Sequence, residues 1–125
     1  MPEATVLVVD DDPVIQGLLR VNFEMEGYDV IIASDGVEGV ELARSEHPDI
    51  VILDVMMPRM DGLEVARVLK GDPSTSPIPI MLLSAKAQEA DLRAGDATGA
   101  DAYVTKPFDP LDLLQRVEAL IAASR

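Results

Sequence analysis

Four short apolar runs in this chain each stop at a residue with a polar, chemically useful side chain. Val6-Leu7-Val8-Val9 leads into Asp10-Asp11, Ile50-Val51-Ile52-Leu53 into Asp54, Ile80-Met81-Leu82-Leu83 into Ser84, and Tyr103-Val104-Thr105 into Lys106. Longer segments with apolar residues at helical spacing separate them. Strand and helix thus alternate about five times, the pattern of βαβ units built around a parallel sheet. The first and third runs are apolar throughout rather than at every second position, as in strands covered by helices on both faces.

Strands are predicted over 5–9, 28–33, 49–53, 78–83 and 102–105. Pro79 must sit at the start of its strand, since a proline inside would remove a ladder bond. The first helix has Asp12 as N-cap, Pro13 at its first position and Gly27 past its end. The second starts near Asp35 and stops before His47-Pro48, because the residue before a proline avoids the helical region. The third follows Asp61-Gly62 and ends near Lys70-Gly71, ahead of a loop over 72–77. A fourth is expected over roughly 87–97, and the last begins with Asp109 as cap and Pro110 at its first position. The first helix carries two apolar stripes, Ile15, Leu19 and Phe23 beside Val14, Leu18, Val21 and Met25. That arc is wider than one packing surface needs. It reads either as a deeply buried helix or as a partner surface.

If the strands are parallel neighbours, Asp10, Asp11, Asp54, Ser84 and Lys106 converge at one edge of the sheet. Ligands of open α/β sheets bind there, outside the carboxyl ends of the strands where the strand order reverses. The length of 125 residues suits one domain, taken as 1–125. Absence of cysteine removes disulfides, thiolate metal sites and thiol catalysis, and the single histidine, His47, excludes a multi-histidine metal site. The formal net charge of −13 argues against direct contact with nucleic acid, whose phosphates attract basic surfaces. With neither a signal-like start nor an apolar run long enough to span a bilayer, a cytoplasmic protein without membrane insertion is the expectation.

The acid pair Asp10-Asp11, Asp54 with Met57-Pro58-x-Met60-Asp61-Gly62, the Ser84-Ala85 step, and Tyr103-x-x-Lys106-Pro107-Phe108 occur together in this order and spacing. Over essentially its whole length the chain resembles a receiver domain of a two-component response regulator, similar to the chemotaxis-type regulators made of a single receiver. The resemblance implies a flavodoxin-like (βα)5 three-layer sandwich with a parallel five-stranded sheet in the order 2-1-3-4-5. It also implies that Asp54 is the phosphoacceptor. Asp11 would bind Mg²⁺ directly, Asp10 directly or through water, and the Met56 backbone carbonyl would be a further ligand beside Asp54. Lys106 would pair with phosphoryl oxygens, and Ser84 would donate its hydroxyl to one of them. Tyr103 would change exposure when Ser84 moves, and the Lys106-Pro107 peptide would be cis. The side chains of Met56 and Lys86 would set the lifetime of the modified state.

The residue types agree with that chemistry. A carboxylate can act as a covalent nucleophile and form an aspartyl phosphate. Crowded carboxylates resist joint ionisation, and a divalent cation relieves them. Oxygen-only ligands favour magnesium. The implied partners are a histidine kinase or histidine phosphotransfer protein as donor and a downstream target protein, with the receiver a monomer or a phosphorylation-dependent dimer. Such a protein is not an enzyme in the ordinary sense, though it catalyses its own phosphorylation and slow self-dephosphorylation. A phosphorelay intermediate and a receiver cut from a longer regulator remain open. So does a receiver that acts only as a scaffold. An aspartate-dependent phosphatase fits less well: it would place its nucleophile in an Asp-x-Asp pair after the first strand, whereas Met56 stands two beyond Asp54 and Asp10-Asp11-Asp12-Pro13 carries a cap-like proline, and it would have a cap domain over its substrate.

Overall fold

The computed structural model describes residues 4–57, 60–84 and 99–124. Its elements run β1 (Thr5–Val9), α1 (Pro13–Met25), β2 (Asp29–Ala33), α2 (Gly36–Glu46), β3 (Ile50–Asp54), α3 (Gly62–Gly71), β4 (Ile80–Ser84), β5 (Ala102–Thr105) and α4 (Pro110–Ala123). The helix expected over 87–97 lies outside the described residues. All the strand pairs are parallel, and the sheet order is β2-β1-β3-β4-β5. The alternation of strands and helices predicts the parallel α/β sheet, and the strand order is the flavodoxin-like one that the resemblance implies. β1 lies between β2 and β3, so the order reverses at β1 and opens a crevice beyond its carboxyl end.

Successive side chains of a strand point to opposite faces, and here both faces are covered. Val6, Val8, Ile50, Ile52, Met81 and Leu83 pack with Leu19 and Phe23 of α1 and with Leu113, Val117 and Ile121 of α4. Leu7, Val9, Val51, Leu53, Ile80 and Leu82 pack instead with Val40 of α2 and with Val65 and Leu69 of α3. This two-sided burial is the reason the runs are apolar without interruption.

The caps follow their sequence signals. Asp12, Asp35, Asp61 and Asp109 each accept a backbone N–H from the first turn of the helix that follows. Pro13 and Pro110 open their helices, and Gly27 takes a positive φ of 91° just past α1. Three strands are shifted by a residue or two from expectation: β2 starts at Asp29, β3 runs over Ile50–Asp54 and β4 over Ile80–Ser84. The fourth strand starts only at Ile80, because the Pro79 nitrogen has no proton to donate; its carbonyl still accepts from Val51 N–H at 3.0 Å. The second helix ends at Glu46, before the His47-Pro48 pair as expected, and His47 caps it in the left-handed region (φ 45°, ψ 60°). That conformation lets the His47 N–H reach the Ala43 carbonyl at 3.2 Å while the chain still turns away before Pro48.

The two stripes of α1 separate cleanly. Leu19 and Phe23 are buried, and Ile15 packs against the same core. Val14, Leu18, Val21 and Met25 stay exposed, Met25 at 78 % and Val14 at 73 %. Deep burial therefore does not account for the second stripe, and a contiguous exposed apolar strip is the kind of surface that meets a partner.

Candidate functional site

Four strands each deliver one of the residues singled out from the sequence to the same edge. Asp10 directly follows β1, Asp54 ends β3, Ser84 ends β4, and Lys106 directly follows β5. Register holds them level, with Val9 opposite Leu53, Asp54 opposite Leu83, and Ser84 opposite Thr105. Backbone bonds lock the rim: Lys106 N–H donates to the Ser84 carbonyl at 2.7 Å, and Val55 N–H to the Leu83 carbonyl at 2.9 Å.

The run Asp10-Asp11-Asp12 divides its labour. Asp10 is only 1 % exposed, Asp11 is exposed, and Asp12 turns its carboxylate to the Val14 N–H at 2.9 Å as the α1 cap. Asp10, Asp11 and Asp54 each offer a carboxylate oxygen, and these oxygens lie within 4.8 Å of one another. The Lys106 ammonium stands between two of them, 3.2 Å from Asp10 Oδ2 and 3.2 Å from Asp54 Oδ1. Three carboxylates thus face one ammonium in a largely buried crevice. That arrangement, with oxygen donors only, fits a hard divalent cation such as magnesium.

Burial pushes the Asp10 carboxyl above the usual carboxylate range, and the Asp54 charge adds to the push. The Asp12 N–H at 2.9 Å from Asp10 Oδ1 and the Lys106 ammonium oppose it without cancelling it. Burial on its own lowers the Lys106 pKa, but the charges of Asp10 and Asp54 outweigh it, so the group is held above the ordinary lysine value and stays protonated at neutral pH. The raised Asp10 pKa has a consequence for stability. Ionised Asp10 destabilises the metal-free fold at pH values above its folded pKa, and this cost disappears below the unfolded pKa of about 3.9. Asp10→Asn should therefore raise the Tm of the metal-free protein at pH 7, by on the order of 1 kcal/mol in stability. The gain should shrink as the pH falls toward 4 (roughly the unfolded carboxylate value). Thermal unfolding in the presence of a chelator across that range checks this, and an Asn variant no more stable at pH 7 would contradict it.

The remaining residues named from sequence are placed as follows. Ser84 is buried at 3 % exposure on the β4 rim. Tyr103 is half-buried and packs against the core on the α2–α3 side of the sheet. The Met56 side chain is 66 % exposed in the loop after β3. The Lys106-Pro107 peptide is cis. Lys86 lies outside the described residues. One polar side chain behind the site carries no mark in the sequence: Gln16 of α1, whose amide donates to the Asp10 carbonyl at 2.6 Å. Among the described residues, no helix is long and apolar enough to cross a membrane.

The family profile described as the response regulator receiver domain matches residues 6–118. The chain is 46 % identical over 116 residues to the DNA-binding dual master transcriptional regulator RpaA of Synechocystis, covering 93 % of this chain and 48 % of RpaA. It is 46 % identical over 119 residues to the alkaline phosphatase synthesis transcriptional regulatory protein PhoP of Bacillus subtilis, covering 95 % of this chain and 49 % of PhoP. The chain thus spans about half the length of these curated relatives. Among solved structures, the receiver domain of the sensor histidine kinase PA1611 of Pseudomonas aeruginosa superposes with a TM-score of 0.89 at 26 % identity, over 97 % of this chain and 99 % of that one. That receiver holds a magnesium ion in its active-site cleft. RpaA is described as DNA-binding, so the expectation that the protein has no nucleic-acid role finds no support among the relatives. The acidic charge speaks only for these 125 residues.

Proposed function

This chain belongs to the response regulator receiver family of two-component signalling, and from that premise we propose that residues 1–125 form a single receiver that accepts a phosphoryl group on Asp54. The donor is a phosphohistidine of a histidine kinase or phosphotransfer protein. An Asp54 carboxylate oxygen attacks phosphorus, a P–O bond forms, the P–N bond to the donor imidazole breaks, and its electron pair leaves with the imidazole nitrogen. Asp10, Asp11 and Asp54 hold Mg²⁺ together with the Met56 carbonyl. An ion held there would neutralise charge on the carboxylates and on the transferring oxygens.

The chain's own groups do the rest. Lys106 is already within 3.2 Å of Asp54 Oδ1, so its ammonium meets the phosphoryl oxygens as they arrive. Ser84, at the end of the neighbouring strand, donates its hydroxyl to one of them. The modification adds roughly −1.5 to −2 charges at neutral pH. Because Lys106 and Ser84 gain these partners only in the modified state, the equilibrium between conformations shifts, and Tyr103 changes exposure with it. A downstream protein reads the altered surface. The observation that carries this reading is Asp54, buried, in reach of both an ammonium and two further carboxylates.

Incubation with acetyl phosphate tests it. Intact-protein mass spectrometry should show one phosphoryl group added with Mg²⁺ present and none with a chelator. Equal labelling with and without the metal would refute the proposal. Turnover of an added phosphoester, by contrast, would favour the phosphatase reading. The exposed Met56 side chain offers no hydrogen bond to hold a water in line behind phosphorus, so self-dephosphorylation is slow. Met56→Asn supplies an amide at that place and should speed loss of the label by about 10-fold, less than the roughly 100-fold or more of a full general acid or base, because the amide orients a water without taking its proton. A decay rate that stays the same or falls would count against this role.

A further inference from the structure

Resting on the assignment of Asp10, Asp11 and Asp54 as the metal ligands, we propose that Gln16 is a positioning residue for that centre, holding the turn that presents the two carboxylates of the β1–α1 junction. The Gln16 Nε2 amide donates to the Asp10 backbone carbonyl at 2.6 Å and to the Ser34 hydroxyl at 3.2 Å. It stands one helical turn into α1, where its own N–H donates to the Asp12 carbonyl at 3.0 Å. One side chain therefore joins the end of β1, the first turn of α1 and the end of β2.

Each of these ties bears on the direction of the Asp10 side chain. The Asp10 N–H donates to the Ala33 carbonyl at 3.1 Å, which fixes one side of its peptide on β2. Gln16 fixes the carbonyl on the other side. The carboxylate itself accepts the Asp12 N–H at 2.9 Å, so a rotation of the Asp10–Asp11 peptide would move Asp10 Oδ1, Asp11 and the start of α1 together. Ser34 is not loose either, since its N–H donates to Glu38 Oε1 at 2.7 Å in the first turn of α2. The amide is thus anchored at one end by a helix and at the other by a second helix terminus. Groups that orient metal-binding side chains in this way commonly affect affinity by about 10–100-fold when removed. A divalent ion with strict geometry is the kind most sensitive to such loosening.

Gln16→Met keeps the length and helix preference of the side chain and removes only the donor. Two readouts are taken on the metal-free and Mg²⁺-titrated full chain: the Mg²⁺ dissociation constant by calorimetry, and amide hydrogen exchange of Asp12 compared with Val8 and Ile52. The expected result is Mg²⁺ binding weakened by about 10-fold, with faster exchange at Asp12 and unchanged protection at Val8 and Ile52. Ser34→Ala, which removes the second acceptor of the same amide, should shift both readouts in the same direction by less. Unchanged Mg²⁺ affinity in Gln16→Met, with the wild-type protein binding the ion, overturns the proposal. So does a uniform loss of protection across the core, which would make Gln16 an ordinary stabilising residue. Failure of the wild-type protein to bind Mg²⁺ would instead sink the metal assignment, and unchanged exchange at Asp12 would then overturn the hold of Gln16 on the turn.

Discussion

Asp54→Asn is expected to eliminate Mg²⁺-dependent labelling by acetyl phosphate altogether, while leaving the protein folded. The asparagine has the same shape and stays within reach of the Lys106 ammonium, but its amide is a poor nucleophile and carries no charge for a cation. The fold should tolerate the change well. Asp54 is 6 % exposed and belongs to a cluster of like charges, so neutralising it removes repulsion. Its partner Lys106 keeps Asp10 at 3.2 Å and is not stranded. The variant should thus combine complete loss of phosphorylation with a melting temperature at or above that of the wild type. Stoichiometric labelling that persists in the variant would remove Asp54 from its role. Loss of labelling together with unfolding would leave the role undecided between chemistry and stability, which is why thermal melts belong in the same experiment.

The second large effect comes from a glycine. Gly62 begins α3, and a methyl group there would meet the backbone oxygen of Asp54 well inside contact distance, with the Asp54 carbonyl carbon at 2.9 Å and the Val55 Cα at 3.0 Å. These are backbone atoms of the strand end that carries the proposed phosphoacceptor, so no side chain can swing aside. The close approach is itself held by the Gly62 N–H, which donates to the Val55 carbonyl at 3.0 Å. Alanine is the better helix former by about 1 kcal/mol. Overpacking against backbone costs more, about 3 kcal/mol, so Gly62→Ala should lower the melting temperature by on the order of 10 °C. Because relief of the clash must shift β3 or α3, the Asp54 carboxylate moves as well. Mg²⁺ affinity should fall alongside stability. Unchanged melting and unchanged Mg²⁺ binding in Gly62→Ala would mean that the helix start adjusts freely, contrary to the packing described above.

Much of this was legible before any coordinates. Parallel strands bring their carboxyl ends to one edge, so a polar residue ending each apolar run already implies a gathering of Asp10, Asp54, Ser84 and Lys106. Proline and aspartate at helix starts marked α1 and α4 because their chemistry is local: a fixed φ, and an oxygen for an unsatisfied N–H. What could not be read depends on contacts distant in sequence. The second stripe of α1 has the same periodicity whether covered or bare, and only packing shows that Val14, Leu18, Val21 and Met25 stay bare. Three consecutive aspartates look equivalent on paper, yet backbone direction sends Asp10 inward, leaves Asp11 exposed and turns Asp12 onto the helix. Gln16 is invisible because its partner is the backbone carbonyl of Asp10, just past β1, and a backbone atom leaves no signature in composition. The extra reach of β3 to Asp54 comes from its pairing with Leu83, a neighbour 29 positions along the chain.

The bare strip on α1 also bears on how the molecules behave in concentrated solution. Two copies meeting through Val14, Leu18, Val21 and Met25 would bury oily surface, a contact that by itself favours clumping. Each copy carries a formal charge of −13, so mutual repulsion opposes that contact. Acidification or added salt weakens the repulsion and leaves the stickiness intact. The acidic coat and the apolar strip therefore push self-association in opposite directions.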